Sequence, residues 1–225
     1  MIDTGNNPFK SGESSSSLTK RFLRHLSVPI AKKLKHTKVT PNMVTYFSIF
    51  LGITSAVLYA LSGQIYNILA SVILFLSVEL DYVDGSLARI KGMTSNFGYW
   101  LDKLGDMFTL IFLFIGITIG VYSIRKDYLV WLFGMMSITA VFMVRYMYLS
   151  LQYKLHNAES IFSEQKRKRK IIREFFFNEQ FIFMSMILAG LFNVMYYYLI
   201  FSAIYGWIFT LVMFYMLSKK IYNED

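Results

Sequence analysis

The stretch ELDYVDGSLARIKGMTSNFGYWLDKLGDMF, residues 79–108, decides how this chain is read. It holds Asp81, Asp84, Asp102 and Asp106 in the pattern D-x2-D-G-x2-A-R-x8-G-x3-D-x3-D, inside a sequence that is otherwise largely apolar. A carboxylate deep in an apolar helix costs roughly 3 kcal/mol on insertion scales, so four of them need a compensating partner. Clustered carboxylates are usually compensated by a hard divalent cation. The interleaved glycines and Arg89 suggest a ligand that carries phosphate. On helices, Asp81 and Asp84 (i, i+3) share one face, as do Asp102 and Asp106 (i, i+4). A short connection around Lys91–Asn96 lets the two pairs face each other, forming a site for one or two Mg²⁺ or Mn²⁺ ions.

The rest of the chain sets this cluster in a membrane. Of 225 residues, 55% are hydrophobic and 18% aromatic, with only 3 prolines; the mean hydropathy is +0.44. Long apolar runs, rather than alternating faces, mark an all-α polytopic membrane protein. Six apolar segments are predicted, at 43–63, 66–88, 98–122, 128–150, 176–193 and 196–217, each of about 18 to 25 residues and so able to cross a ~30 Å hydrocarbon core. The fifth is weakened at its start by Asn178, Glu179 and Gln180. With no cysteine in the chain, disulfides and thiolate metal sites are excluded.

Orientation follows from the basic residues. An even number of spans with both termini cytoplasmic places 19 of the 23 Lys and Arg on the cytoplasmic side. Only Arg125 and Lys126 fall opposite, and Lys103 and Arg145 lie within helices. The net charge of +9 therefore flanks apolar runs, which favours anionic lipid headgroups over nucleic acid as its partner. The tract Lys166–Lys170 reads as a solvated or lipid-attracting patch.

Before the first segment, residues 18–38 carry Leu18, Phe22, Leu26, Ile30 and Leu34 at intervals of four among basic residues. This pattern predicts an amphipathic helix in the cytoplasmic interface, with Pro29 expected to kink or divide it. Residues 1–17 are polar and Ser-rich and read as a disordered tail, not a cleavable signal peptide. Residues 39–220 form the six-helix membrane domain.

The motif at 81–106 resembles the signature of the CDP-alcohol phosphotransferase (CDP-alcohol phosphatidyltransferase) family at every fixed position. The stretch VTPNMVTYFSIFLG, with Pro41, Asn42 and Thr45, is similar to that family's first-helix pattern. The resemblance covers residues 18–150; the last two segments match only as apolar helices. It implies an enzyme that transfers a phosphatidyl or archaetidyl group from a CDP-linked lipid to a polar alcohol and releases CMP. It further implies that Asp81, Asp84 and Asp102 hold metal, and that Asp106 borders the second ion and acts as general base. By the same resemblance, Gly85, Ala88 and Gly98 make room for cytidine, Arg89 contacts the donor, Asn42 and Thr45 help to hold the CDP moiety, and the enzyme is a homodimer.

The acceptor is less sharply written. The pattern TSNFGYWLD is similar to members that use inositol phosphate, implying that acceptor or another phosphorylated polyol; Met107 stands where such members often carry arginine. A phosphatidylglycerophosphate-type synthase is the alternative within the family. Basic candidates for a phosphorylated acceptor are Arg145, Lys103 and Lys154, although Arg145 could equally pair with a helix carboxylate. Glu79 points away from the Asp81 pair and takes no role. From a different class, a cation transporter would string its carboxylates along a pathway, whereas these cluster at one depth.

Overall fold

Residues 18–157 and 179–222 are described by a computed structural model, and the regular elements among them are all helices. They are α1 (Leu18–Leu34), α2 (Pro41–Leu61), α3 (Gln64–Lys91), α4 (Asn96–Arg125), α5 (Leu129–Asn157), α6 (Glu179–Leu191) and α7 (Met195–Tyr222). Around the centre, α2 packs on both α3 and α4, while α1 and α6 cover α3; α5 and α7 pair beside α4.

Local chemistry sets the helix ends near the motif. Thr40 caps α2, its Oγ1 accepting from the Met43 N–H at 3.3 Å, and Pro41 fills the first turn, where a missing N–H costs nothing. Ser95 caps α4 in the same way, accepting from the Gly98 N–H at 3.0 Å. Gly92 closes α3 in the left-handed region (φ 66°), and the Met93 N–H donates to the Ala88 carbonyl at 2.9 Å. Only residues 92–95 separate α3 from α4, so the two halves of the aspartate motif fold back on each other. Lys91 fastens the preceding loop, its Nζ donating to the Thr37 and Val39 carbonyls at 2.8 Å each.

Among the described residues, four stretches are long and apolar enough to cross a membrane: Pro41–Leu61, Asn96–Arg125, Leu129–Met147 and Met195–Met216. The six expected segments each find a helix, but two of those helices do not qualify. α3 has the length, at 28 residues, yet it carries Glu79, Asp81, Asp84, Arg89 and Lys91. The described part of α6 runs for 13 residues, roughly 20 Å, by itself short of a hydrocarbon core. Phe47, Phe50, Ile119, Ile204 and Leu211 all lie exposed on the outer surface. Such an exterior suits lipid and not water, as expected of an integral membrane protein.

α1 packs on the protein through residues outside its predicted apolar stripe. Pro29 does not divide it, and the residues it buries completely are Leu23, Ser27 and Ala31, while Leu26 and Ile30 stay exposed. Small side chains let helix backbones approach, so the protein-facing stripe is the small one and the larger apolar residues are left for the surroundings. The tail 1–17, the tract Lys166–Lys170 and Arg173 lie outside the described residues.

The interior combines an apolar cluster (Tyr59, Leu74, Phe114, Ile117, Met186 and Leu199) with hydrogen bonds between distant segments. Ser55 Oγ donates to the Ala70 carbonyl at 2.8 Å, Tyr59 OH and Ser71 Oγ lie 3.0 Å apart, and Asn67 Nδ2 donates to Asn193 Oδ1 at 2.7 Å. α2 and α4 touch backbone to backbone: a Cβ added at Gly116 would overlap the Ala56 carbonyl, and one at Gly120 the Tyr59 carbonyl. Overpacking of this kind typically costs ~1–3 kcal/mol, and rigid backbone cannot step aside. Gly116→Ala should therefore lower the thermal midpoint of the detergent-purified protein by several degrees. Gly85→Ala, whose added Cβ meets nothing nearer than Arg89 Nη1 at 3.7 Å, should leave it almost unmoved. Equal midpoints for the two variants would show that this helix contact is not the tight one.

Candidate active site

Thr40–Pro41, Gly92 and Ser95 fix where three helix ends meet, and the motif side chains line the space between them. Asp81 from α3 and Asp102 and Asp106 from α4 each offer a carboxylate oxygen, and these three atoms lie within 4.8 Å of one another. Three hard, anionic oxygens at that spacing match the donor set of a divalent cation. Asp84 is held slightly apart: it is buried, and its Oδ2 accepts a short hydrogen bond from Thr45 Oγ1 on α2. Thr45 also lies 3.2 Å from the Pro41 carbonyl, so α2 orients an α3 carboxylate. A carboxylate fixed by a second hydrogen-bonded partner is the usual way a metal-binding group keeps its orientation.

Lys103 provides the positive charge nearest the cluster. Its Nζ sits 2.9 Å from Asp102 Oδ2 and 3.1 Å from Asp106 Oδ2. Arg145 on α5 reaches the same turn, its Nη2 donating to the Lys103 carbonyl at 3.2 Å. Of the residues expected to carry the acceptor, these two therefore stand at the cluster. Lys154 is on α5, and its side chain lies outside the described residues.

The other motif residues lie toward the start of α2, the end of α3 and the start of α4. Asn42 faces Gly98, and a Cβ added at Gly98 would come within 3.3 Å of Asn42 Oδ1. Gly85 has open space beside it apart from the Arg89 guanidinium. Arg89 is exposed and its Nη2 donates to Ser86 Oγ at 3.3 Å. Ala88 is half-buried one turn beyond Asp84.

Beneath the aspartates is a cavity of about 70 Å³, lined by Thr45, Ser48, Ser77, Thr109 and Phe183 as well as by Asp81, Asp102, Lys103 and Asp106. It admits a few water molecules. Ser48, Ser77 and Thr109 were not singled out from the sequence, yet helical spacing points to them. Ser77 is four residues before Asp81, Ser48 three after Thr45, and Thr109 three after Asp106, so each repeats the face of a motif residue one turn deeper. Ser77 Oγ donates to the Ser48 carbonyl at 2.7 Å, tying α3 to α2 at this level. Glu79 is buried outside the carboxylate group, and neither of its oxygens has a hydrogen-bond partner among the described residues.

Stretches of this chain are similar to known proteins. The chain is 34% identical over 91 residues to an archaetidylinositol phosphate synthase of Pyrococcus horikoshii, 40% of this chain and 47% of that protein. It is 38% identical over 81 residues to a phosphatidylinositol phosphate synthase of Corynebacterium glutamicum, 36% of each. A third stretch of 67 residues is 42% identical to a CDP-diacylglycerol–serine O-phosphatidyltransferase of Helicobacter pylori, 30% of this chain and 27% of that one. The chain thus spans less than half the length of these curated relatives. The fold superposes on the crystal structure of a Mycobacterium tuberculosis phosphatidylinositol phosphate synthase with CDP-DAG bound, at a TM-score of 0.59 and 17% identity, over 85% of this chain and 92% of that one. The sequence profile of the CDP-alcohol phosphatidyltransferases matches residues 38–215, from the loop before α2 almost to the end of α7. A match of that extent makes this chain a member of the CDP-alcohol phosphatidyltransferase family.

Proposed function

We propose that the protein transfers a phosphatidyl or archaetidyl group from a CDP-linked lipid to a polar alcohol, releasing CMP. The convergence of Asp81, Asp102 and Asp106 carries this reading, because pyrophosphate chemistry beside a bilayer needs concentrated positive charge at one point. In this reading Asp81, Asp84, Asp102 and Asp106 hold two Mg²⁺ or Mn²⁺ ions. When bound, the ions neutralise the pyrophosphate and the departing CMP. Asp106 takes the proton of the acceptor hydroxyl as its oxygen bonds to the lipid-linked phosphorus. The bond from that phosphorus to the CMP oxygen breaks, and CMP leaves with the electron pair. Thr45 keeps Asp84 in register, and Asn42 with Thr45 borders the CDP moiety. Gly85, Ala88 and Gly98 leave space for cytidine; the open volume beside Gly85 supports this over a packing role. Arg89 contacts the donor phosphates at the mouth.

The acceptor in this reading is inositol phosphate or a similar phosphorylated polyol. Two relatives named for inositol phosphate products support it, as does the guanidinium of Arg145 one turn from the cluster. The protein sits as a six-span homodimer with both termini cytoplasmic. α1 lies in the cytoplasmic interface, its exposed Leu26 and Ile30 toward lipid. Lipid tails then stay in the bilayer while a soluble acceptor arrives from the cytoplasm.

The test is CMP release by the purified protein from CDP-diacylglycerol or CDP-archaeol, with Mg²⁺ and a panel of inositol phosphate, glycerol phosphate and serine. Release that requires inositol phosphate is expected; no release with any acceptor in the panel, under conditions that keep the protein folded, would overturn the reading. EDTA should abolish turnover and added Mg²⁺ restore it. Asp106→Asn should lower turnover by at least ~10²-fold with an unchanged thermal midpoint, and near-normal turnover would remove Asp106 as the base. Thr45→Val, similar in shape but without the hydroxyl, should cost roughly 10–100-fold in activity or metal affinity through the loosened Asp84. An unaltered enzyme would show that the Thr45 contact is dispensable.

A further inference from the structure

Lys103 occupies the place a metal would use. Its ammonium bridges Asp102 Oδ2 and Asp106 Oδ2 at 2.9 and 3.1 Å, and both aspartates belong to the three-carboxylate group. A divalent ion needs lone pairs of those same carboxylates, and the ammonium already occupies Asp102 Oδ2 and Asp106 Oδ2. Ammonium and metal therefore compete for the same oxygens. The lysine side chain is 41% exposed, against 12% for that of Asp106, so it has an open route out of the cluster while the aspartate does not.

We propose that Lys103 is the exchangeable counter-ion of the carboxylate cluster: it neutralises the cluster when no divalent ion is bound, and metal binds only by displacing it. The inference rests on the metal reading above. Its physical value lies in the membrane setting, where an unneutralised group of carboxylates opposes insertion and folding. The lysine allows the bundle to form before metal arrives. The same contact weakens metal binding, because apparent affinity is reduced by the fraction of molecules in which the ammonium is already out.

The consequence is a pair of effects with opposite signs. Removing the ammonium should make the metal-free protein less stable and its metal binding tighter. A lysine that only supported the fold would lower both together.

The experiment uses the full chain in detergent or nanodiscs, with Mn²⁺ as probe. Free Mn²⁺ is counted by electron paramagnetic resonance during titration, and thermal midpoints are measured with and without the ion, for wild type, Lys103→Met and Lys103→Gln. Both variants should bind Mn²⁺ about three- to tenfold more tightly than wild type, the range open to partly exposed ion pairs. Their metal-free midpoints should fall, and Mn²⁺ should raise them by more than it raises that of wild type. The glutamine variant, polar and hydrogen-bonding, keeps the test open if methionine prevents folding. Wild-type binding with equal or weaker binding by the variants would overturn the role of Lys103 alone. Absence of Mn²⁺ binding in all three proteins would overturn the metal reading together with it.

Discussion

Mutual repulsion among carboxylates packed into an apolar bundle is the constraint on which the site depends. Asp81, Asp102 and Asp106 bring three oxygens within 4.8 Å of each other, on helices whose remaining surface is built for lipid or for other helices. Such a group persists only if something supplies opposite charge and something rigid holds the backbone against the repulsion. Lys103 supplies charge at two of the three carboxylates. The rigidity comes from elsewhere: the four-residue connection between α3 and α4, the caps at Thr40 and Ser95, and the backbone contact of α2 with α4.

These supports form one continuous structure. α2 touches α4 through Gly116 and Gly120 in the distal half of the bundle, and it reaches the site through Thr45 on Asp84 and Ser48 beneath the aspartates. A helix anchored so tightly at one end has little freedom to slide at the other. Packing far from the chemistry thus fixes the spacing of the carboxylates, a spacing that decides between a metal site and a set of separately solvated acids. With little hydrophobic force between helices in lipid, small residues and interhelical hydrogen bonds do this work.

Much of this was legible in the sequence because the governing periods are short. The spacing of four put Asp102 and Asp106 where both meet Asp81, while Asp84, expected beside Asp81, turns to Thr45; apolar segments such as 43–63 marked helices found at Pro41–Leu61 and its neighbours. The start of α2 was written in Thr40–Pro41, a cap rather than a change in hydropathy, so the apolar run missed it by two residues. Contacts between distant segments were not legible. Thr45 and Asp84 are 39 residues apart, and nothing local announces that a hydroxyl on one helix will hold a carboxylate on another. Which residues of α1 meet the protein was equally unannounced: Leu26 and Ile30 stand out by hydropathy and stay exposed, while Leu23, Ser27 and Ala31 are buried. The glycines were ambiguous in sequence, since one residue type serves close packing at Gly116 and open space at Gly85.

The central claim is that one cation site is built jointly by α3 and α4 and faces the donor's pyrophosphate. Anomalous diffraction from crystals grown with Mn²⁺ and a CDP-linked lipid tests it most directly. The account predicts manganese density among Asp81, Asp102 and Asp106, with the Lys103 ammonium withdrawn and the pyrophosphate against the metal. Donor bound at the mouth with no manganese among these three aspartates, or with Lys103 still bridging Asp102 and Asp106, would contradict it.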